Sequence, residues 1–92
     1  MPDFTKAINL DPNDADSYTF RGSTKASLGD YIGSISDYDK AIELKPDNAR
    51  AYFGRGTTKI QLDQKYSGCL DLSKAGEQGI AKAYEGINLF CN

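Results

Sequence analysis

Apolar and small residues return along this chain in two alternating stripes, both with helical spacing. Tyr18, Gly22, Ala26 and Leu28 mark the first, which predicts a helix over Asp14–Leu28. Ile35, Tyr38, Ala41 and Ile42 mark the second at i, i+3, i+6 and i+7, one face of a helix over Tyr31–Leu44. The punctuation between the stripes fits. Asn13 is placed to cap the first helix, and Asp14 and Asp16 suit its positive end. Gly29 supplies a left-handed stop and Asp30 a cap for the second helix. Pro46 ends that helix, because the residue before a proline avoids helical geometry. Asp47 is then placed to cap a third helix, Ala49–Leu62.

The whole pattern recurs at a fixed period. "DFTKAINLDPNDADSYTFRG" from Asp3 is echoed by "DYDKAIELKPDNARAYFGRG" from Asp37. Phe4, Tyr38 and Leu72 superpose, as do Lys6, Lys40 and Lys74, and Ala7, Ala41 and Ala75. Pro12 falls on Pro46, Tyr18 on Tyr52, and Arg21-Gly22 on Arg55-Gly56. Two full helix pairs follow, over 13–46 and 47–79. In the second pair Asp63-Gln64-Lys65 replaces Gly29-Asp30-Tyr31, which predicts a looser turn with Tyr66 standing in for Tyr31. "AKAY" at Ala81–Tyr84 repeats "ARAY" at Ala49–Tyr52, slightly ahead of the period. The connection before it is therefore shortened, and Gly79 makes the break. Ile80–Phe90 is then the first helix of a further unit (80–92), a lid on the last core. Ile87, Leu89 and Phe90 are apolar enough that at least one should stay exposed. Asp3–Leu10, within 3–12, reads as the end of a second helix whose partner would lie upstream. Either the chain is a fragment of a longer array, or this edge pairs with another molecule.

Gly22 and Gly56 fall inside helices, where glycine costs about 1 kcal/mol against alanine. Close approach of the partner helix explains them, with Ser34, Gly68 and the recurring alanines on the other side and Tyr18, Tyr38 and Tyr52 filling neighbouring holes. Helix pairs this short cannot bury both faces alone, so successive pairs must stack.

An aromatic, a glycine one helical turn on, Gly-Asp-Tyr, a small residue, an aromatic, Ala and Pro stand here as Tyr18, Gly22, Gly29-Asp30-Tyr31, Ser34, Tyr38, Ala41 and Pro46. This order resembles the tetratricopeptide repeat, and the second unit keeps Tyr52, Gly56, Gly68, Leu72 and Ala75. "LSKAGEQGIAKAYEGI" is also similar to the Sel-one-like cousins of that family. The resemblance implies an all-α, right-handed solenoid of antiparallel helix pairs, a single domain of about six helices. It further implies a concave groove formed by the first helix of each unit. Carried onto this chain, its residues are Asp16, Thr19, Phe20, Ser23, Ala26 and Ser27, then Arg50, Phe53, Gly54, Thr57, Ile60 and Gln61, then Lys82, Glu85, Gly86 and Leu89. Phe20 and Phe53 are either exposed anchors or packed on each other. Arg50 and Lys82 could meet an acidic group, or be neutralised by Asp16 and Glu85. The family's carboxylate clamp for chaperone tails would fall on Thr19, Ser23, Gly54, Lys82 and Gly86. Only Lys82 fits, so no binding of such a tail is expected. The implied function is a non-catalytic module binding a peptide or partner protein in the groove. The other reading is a spacer or weakly self-associating segment, joined through the N-terminal helix edge.

Composition narrows the alternatives. The 92 residues are 39% hydrophobic and 26% charged, which suits a folded domain. A net charge of −2 is too small to draw in nucleic acid or an anionic membrane, and no apolar run approaches a bilayer span. With no histidine, Ser–His and Cys–His nucleophile pairs and the common zinc spacings cannot be built. No phosphate loop, cofactor site or metal site is expected, and no enzyme. The compartment is open, with the cytoplasm favoured. Asp37 and Asp71 read as solvated or lysine-paired surface residues. Two cysteines do not make a disulfide framework. Cys69 reads as a buried thiol and Cys91 as a thiol near a frayed end.

Overall fold

The computed structural model describes residues 8–91. Five helices run through them: α1 (Ala15–Ser27), α2 (Tyr31–Leu44), α3 (Ala49–Gln61), α4 (Lys65–Glu77) and α5 (Lys82–Phe90). Ile8–Leu10 are helical ahead of α1, and Ile8 is buried. The rest of the expected N-terminal half-unit, with Phe4, Lys6, Ala7 and most of the proposed self-association edge, lies outside the described residues. No described residue is in a strand. Successive helices pack on one another, and α3 also touches α1 and α5. The result is an elongated all-α solenoid, 42 × 25 × 20 Å.

Capping fixes where each helix starts, and two caps fall one place later than expected. Asp14, not Asn13, caps α1 by accepting from the Asp16 N–H, and Asn48, not Asp47, caps α3 by accepting from the Ala51 N–H. The reason is the preceding turn. The Asp14 N–H donates to the Asp11 carbonyl and the Asn48 N–H to that of Lys45, closing β-turns with Pro12 and Pro46 at their second positions. The helix can begin only after that turn is complete. Asp30 caps α2 as expected, accepting from the Gly33 N–H. Neither α4 nor α5 has a side-chain cap, and α5 starts at Lys82 rather than Ile80.

Three turns close alike. The N–H groups of Asp30, Gln64 and Ile80 donate to the carbonyls of Lys25, Lys59 and Ala75 at 2.8, 2.8 and 3.1 Å. The residue before each donor is left-handed: Gly29 at φ 85°, Asp63 at 63° and Gly79 at 106°. The turn at Asp63 is therefore not looser; an aspartate adopts the backbone its glycine counterparts adopt freely. Tyr66 does not replace Tyr31. It is 81% exposed, whereas Tyr31 is half-buried. Leu28 is also exposed, because it lies just past α1 as its C-cap.

The core is thin and continuous. Tyr38, Ala41 and Ala51 pack with Tyr18 and Ile42, and Leu72, Ala75 and Ala83 are fully buried further along. The helix-interior glycines sit at close approaches. A Cβ on Gly56 would lie 2.8 Å from the Gly68 carbonyl oxygen, and one on Gly68 would lie 2.7 Å from that of Gly56. At Gly22 a Cβ would meet Ser34 O and the Tyr38 ring at 3.1–3.2 Å.

Asp37 and Asp71 are not surface residues. They are 3% and 6% exposed. Arg21 Nε and Nη2 donate to the two oxygens of Asp37 at 2.8 and 2.7 Å, and Lys25 Nζ lies 3.2 Å away. Arg55 treats Asp71 the same way, with Lys59 Nζ at 3.0 Å. Each guanidinium also stacks over a tyrosine, Tyr18 or Tyr52, and Arg55 reaches back to Asp39 at 2.8 Å. These hydrogen bonds to carboxylate raise both arginines further above their already high pKa. Burial of a carboxylate is tolerable only with this kind of bidentate and lysine pairing.

The cysteines are also not free. Cys69 in α4 and Cys91 just beyond α5 form a disulfide across 22 residues of sequence. Their separation in the chain carries no signal of this. Only the return of α5 onto α4 brings them together.

Candidate partner-binding groove

The first helices of the two units, α1 and α3, touch, and Asn48 joins them. Its Oδ1 caps α3, while its Nδ2 donates to Thr19 Oγ1 in α1 at 3.0 Å. Thr19 in turn donates to the Ala15 carbonyl. With α2 beneath them, the two helices enclose a groove of about 400 Å³.

Thr19, Phe20, Ser23, Ala26 and Ser27 of α1 line it, facing Arg50, Phe53, Gly54, Thr57 and Gln61 of α3. The family spacing names all of these. Three further lining residues it does not name: Tyr31 and Tyr38 of α2, and Thr58. Tyr38 gets there because Gly54 has no side chain; a Cβ would collide with its Cζ and Oη. A glycine facing a large aromatic one unit back is the available clue. Burial raises the Tyr38 phenol pKa, partly offset by hydrogen bonding with Ser23.

The other expected groove residues do not line it. Ile60 turns toward α4, where its Cγ1 would lie 2.8 Å from a Cβ on Gly68. Asp16 lines a second depression with Lys45, Asp47 and Gln78, which Arg50 also borders. Lys82, Glu85, Gly86 and Leu89 belong to α5; Gly86 packs against Leu72, and Leu89 is 75% exposed.

The groove is rich in hydroxyls and poor in charge. Among the described residues Arg50 is its one charged lining residue. Thr57 donates its hydroxyl proton to the Gly54 carbonyl at 2.9 Å. Its oxygen is left able to accept from a visiting N–H donor. Phe20 remains 42% exposed and Phe53 is half-buried. Among the described residues no group of acidic or sulfur side chains could hold a metal, and no helix is long and apolar enough to cross a membrane.

A stack of helix pairs with a groove on their first helices defines a helical-repeat solenoid. Within it, residues 22–63 match the family model for the TPR repeat. No curated protein sequence matches the chain. Solved structures do. The first TPR of Spaghetti (RPAP3), bound to the HSP90 peptide SRMEEVD, superposes with a TM-score of 0.91 at 22% identity, covering 96% of this chain and 71% of that one. YrrB, a TPR protein with an unusual peptide-binding site, gives 0.82 at 29% identity over 86% of this chain and 41% of that one. The TPR2B domain of yeast Sti1, in complex with pHsp70, gives 0.79 at 32% identity over 82% and 60%. The chain thus spans about half the length of the last two.

Proposed function

We propose that this chain is a non-catalytic interaction module that holds an extended peptide, or an exposed segment of a partner protein, in the groove between α1 and α3. The observation that carries the reading is the convergence of Phe20 and Phe53 with Thr19, Ser23, Arg50 and Thr57 around one concave surface. The aromatics offer apolar anchorage, and the threonine and serine oxygens offer hydrogen bonds to an extended backbone. The peptide-binding site of YrrB and the pHsp70 complex of the Sti1 domain, at 29% and 32% identity, support the assignment. Arg50 is the only groove cation among the described residues, so the ligand is not held by a multi-cation carboxylate clamp. The two units, 13–46 and 47–79, form the binding surface within one domain. The C-terminal stretch reads as a Sel-one-like unit on its sequence words alone.

The test is a peptide selected from a random library, titrated into the labelled protein by NMR. The expected result is amide shifts centred on Phe20, Phe53 and Thr57, and at least about tenfold weaker binding by a Phe20→Ala/Phe53→Ala variant. Shifts centred elsewhere, with unchanged affinity in that variant, would overturn the proposal.

A further inference from the structure

We infer that the Cys69–Cys91 disulfide is a redox latch that holds α5 against α4, and that its reduction releases α5 while α1–α3 stay folded. The inference does not depend on the groove. It rests on how little else holds α5. The helix has nine residues, and Ala83 alone among them is buried. A helix so short does not persist in water by itself. Ala81 gives it no side-chain cap. Its seat is α4, with a small edge on α3. Contacts there include the Tyr84 ring over Gly76 and Gly86 against Leu72.

The disulfide sits where it controls that seat. The polypeptide tethers the N-terminal end of α5 through Gly79–Ala81, and Cys91, the C-cap of α5, tethers the other end to Cys69. A helix pinned at both ends loses little further freedom by docking; one pinned at a single end loses much more. Both cysteines are half-buried, so a small thiol can reach them. A dithiol reductant supplies the two electrons. One of its thiolates attacks a sulfur of the bridge, and the other protein sulfur leaves as thiolate and is protonated. The second thiol of the reductant then displaces the first protein sulfur. The products are two cysteine thiols and the oxidised, cyclic reductant. A short element seated mainly on one neighbour opens without the rest of the stack, so the loss stays local and uncovers the Leu72–Ala75 face.

Hydrogen–deuterium exchange on the full chain, oxidised and after dithiothreitol, tests this alongside a Cys69→Ser/Cys91→Ser variant. The expected result is exchange at least about tenfold faster over 82–90 in the reduced protein and in the variant. Amides of α1–α3 should stay within about twofold. Unchanged exchange in α5 would overturn the inference. So would equal acceleration along the whole chain, or two thiols that stay free after treatment with oxidised glutathione.

Discussion

Arg55 grips the buried carboxylate of Asp71 through two parallel hydrogen bonds of 2.8 and 2.9 Å, joining α3 to α4. Arg21 and Asp37 make the same contact one unit earlier. The repeat therefore reproduces a polar buttress as well as an apolar face, and each buttress ties the two helices of one unit.

Removing the acceptor should be costly. In Asp71→Asn the Arg55 and Lys59 cations lose their shared counter-charge in a site that is largely shielded from water. Arg55 keeps Asp39 and some solvent, so a loss of about 2–3 kcal/mol is expected, below that of a fully buried pair. Urea denaturation measures it; Asp39→Asn, at an exposed rim position, should cost under about 1 kcal/mol.

Gly68→Ala should destabilise although alanine is the better helix former. The gain of about 1 kcal/mol in propensity is outweighed by a Cβ forced to 2.7 Å from the Gly56 carbonyl oxygen. Backbone atoms cannot step aside as side chains do, so α3 and α4 must separate. A net loss of about 1–3 kcal/mol is expected, read from the urea midpoint.

Tyr38 sets an alkaline limit. Burial raises its pKa above the ordinary 10.0. As pH rises past 10.0 the unfolded chain releases this proton while the folded one keeps it, so stability falls. At lower pH both states hold the proton and the contribution is constant. The arginines, also raised, act in the same direction only at far more alkaline pH. Across the alkaline range the urea midpoint should drop more for the parent than for Tyr38→Phe.

Asp63→Gly should stabilise. Asp63 holds φ 63° at the position that Gly29 and Gly79 occupy in the other two turns. Relief of that strain, net of glycine's greater freedom when unfolded, should contribute about 0.5–1 kcal/mol. A rise in thermal midpoint checks it.

Much of the fold is legible in the sequence because its signals are local and repeated. Gly29, Gly79, Asp30, Pro12 and Pro46 each act on their own neighbours, and the repeat superposes them. The groove residues of α1 and α3 are legible for the same reason: one helical face, counted from Ala15 or Ala49. What the sequence hides depends on the third dimension. Ile60 lies at the edge of its face, and Gly68 on α4 offers it a seat. The α5 residues keep the spacing, but α5 packs on α4 and does not border the groove between α1 and α3. Asp37 and Asp71 read as solvated or lysine-paired surface residues; the lysines are there, but the burial is missed because a charge count cannot see an arginine across a helix pair. The clue was there in the register, since Arg21 stands before Asp37 as Arg55 stands before Asp71. The disulfide leaves no trace at all, since two cysteines show nothing of the helix that returns to join them.

Helix α3 meets all four of the others, and every contact it makes is with a helix at most two steps away along the chain. No long stretch of backbone must be closed before contacts begin to form. Chains with such nearby contacts collapse and order within microseconds to milliseconds. The kinetic nucleus should hold α3 and one neighbour, with the outer helices condensing afterward. Substitutions in α3 should then slow folding, whereas those in α5 should chiefly speed unfolding.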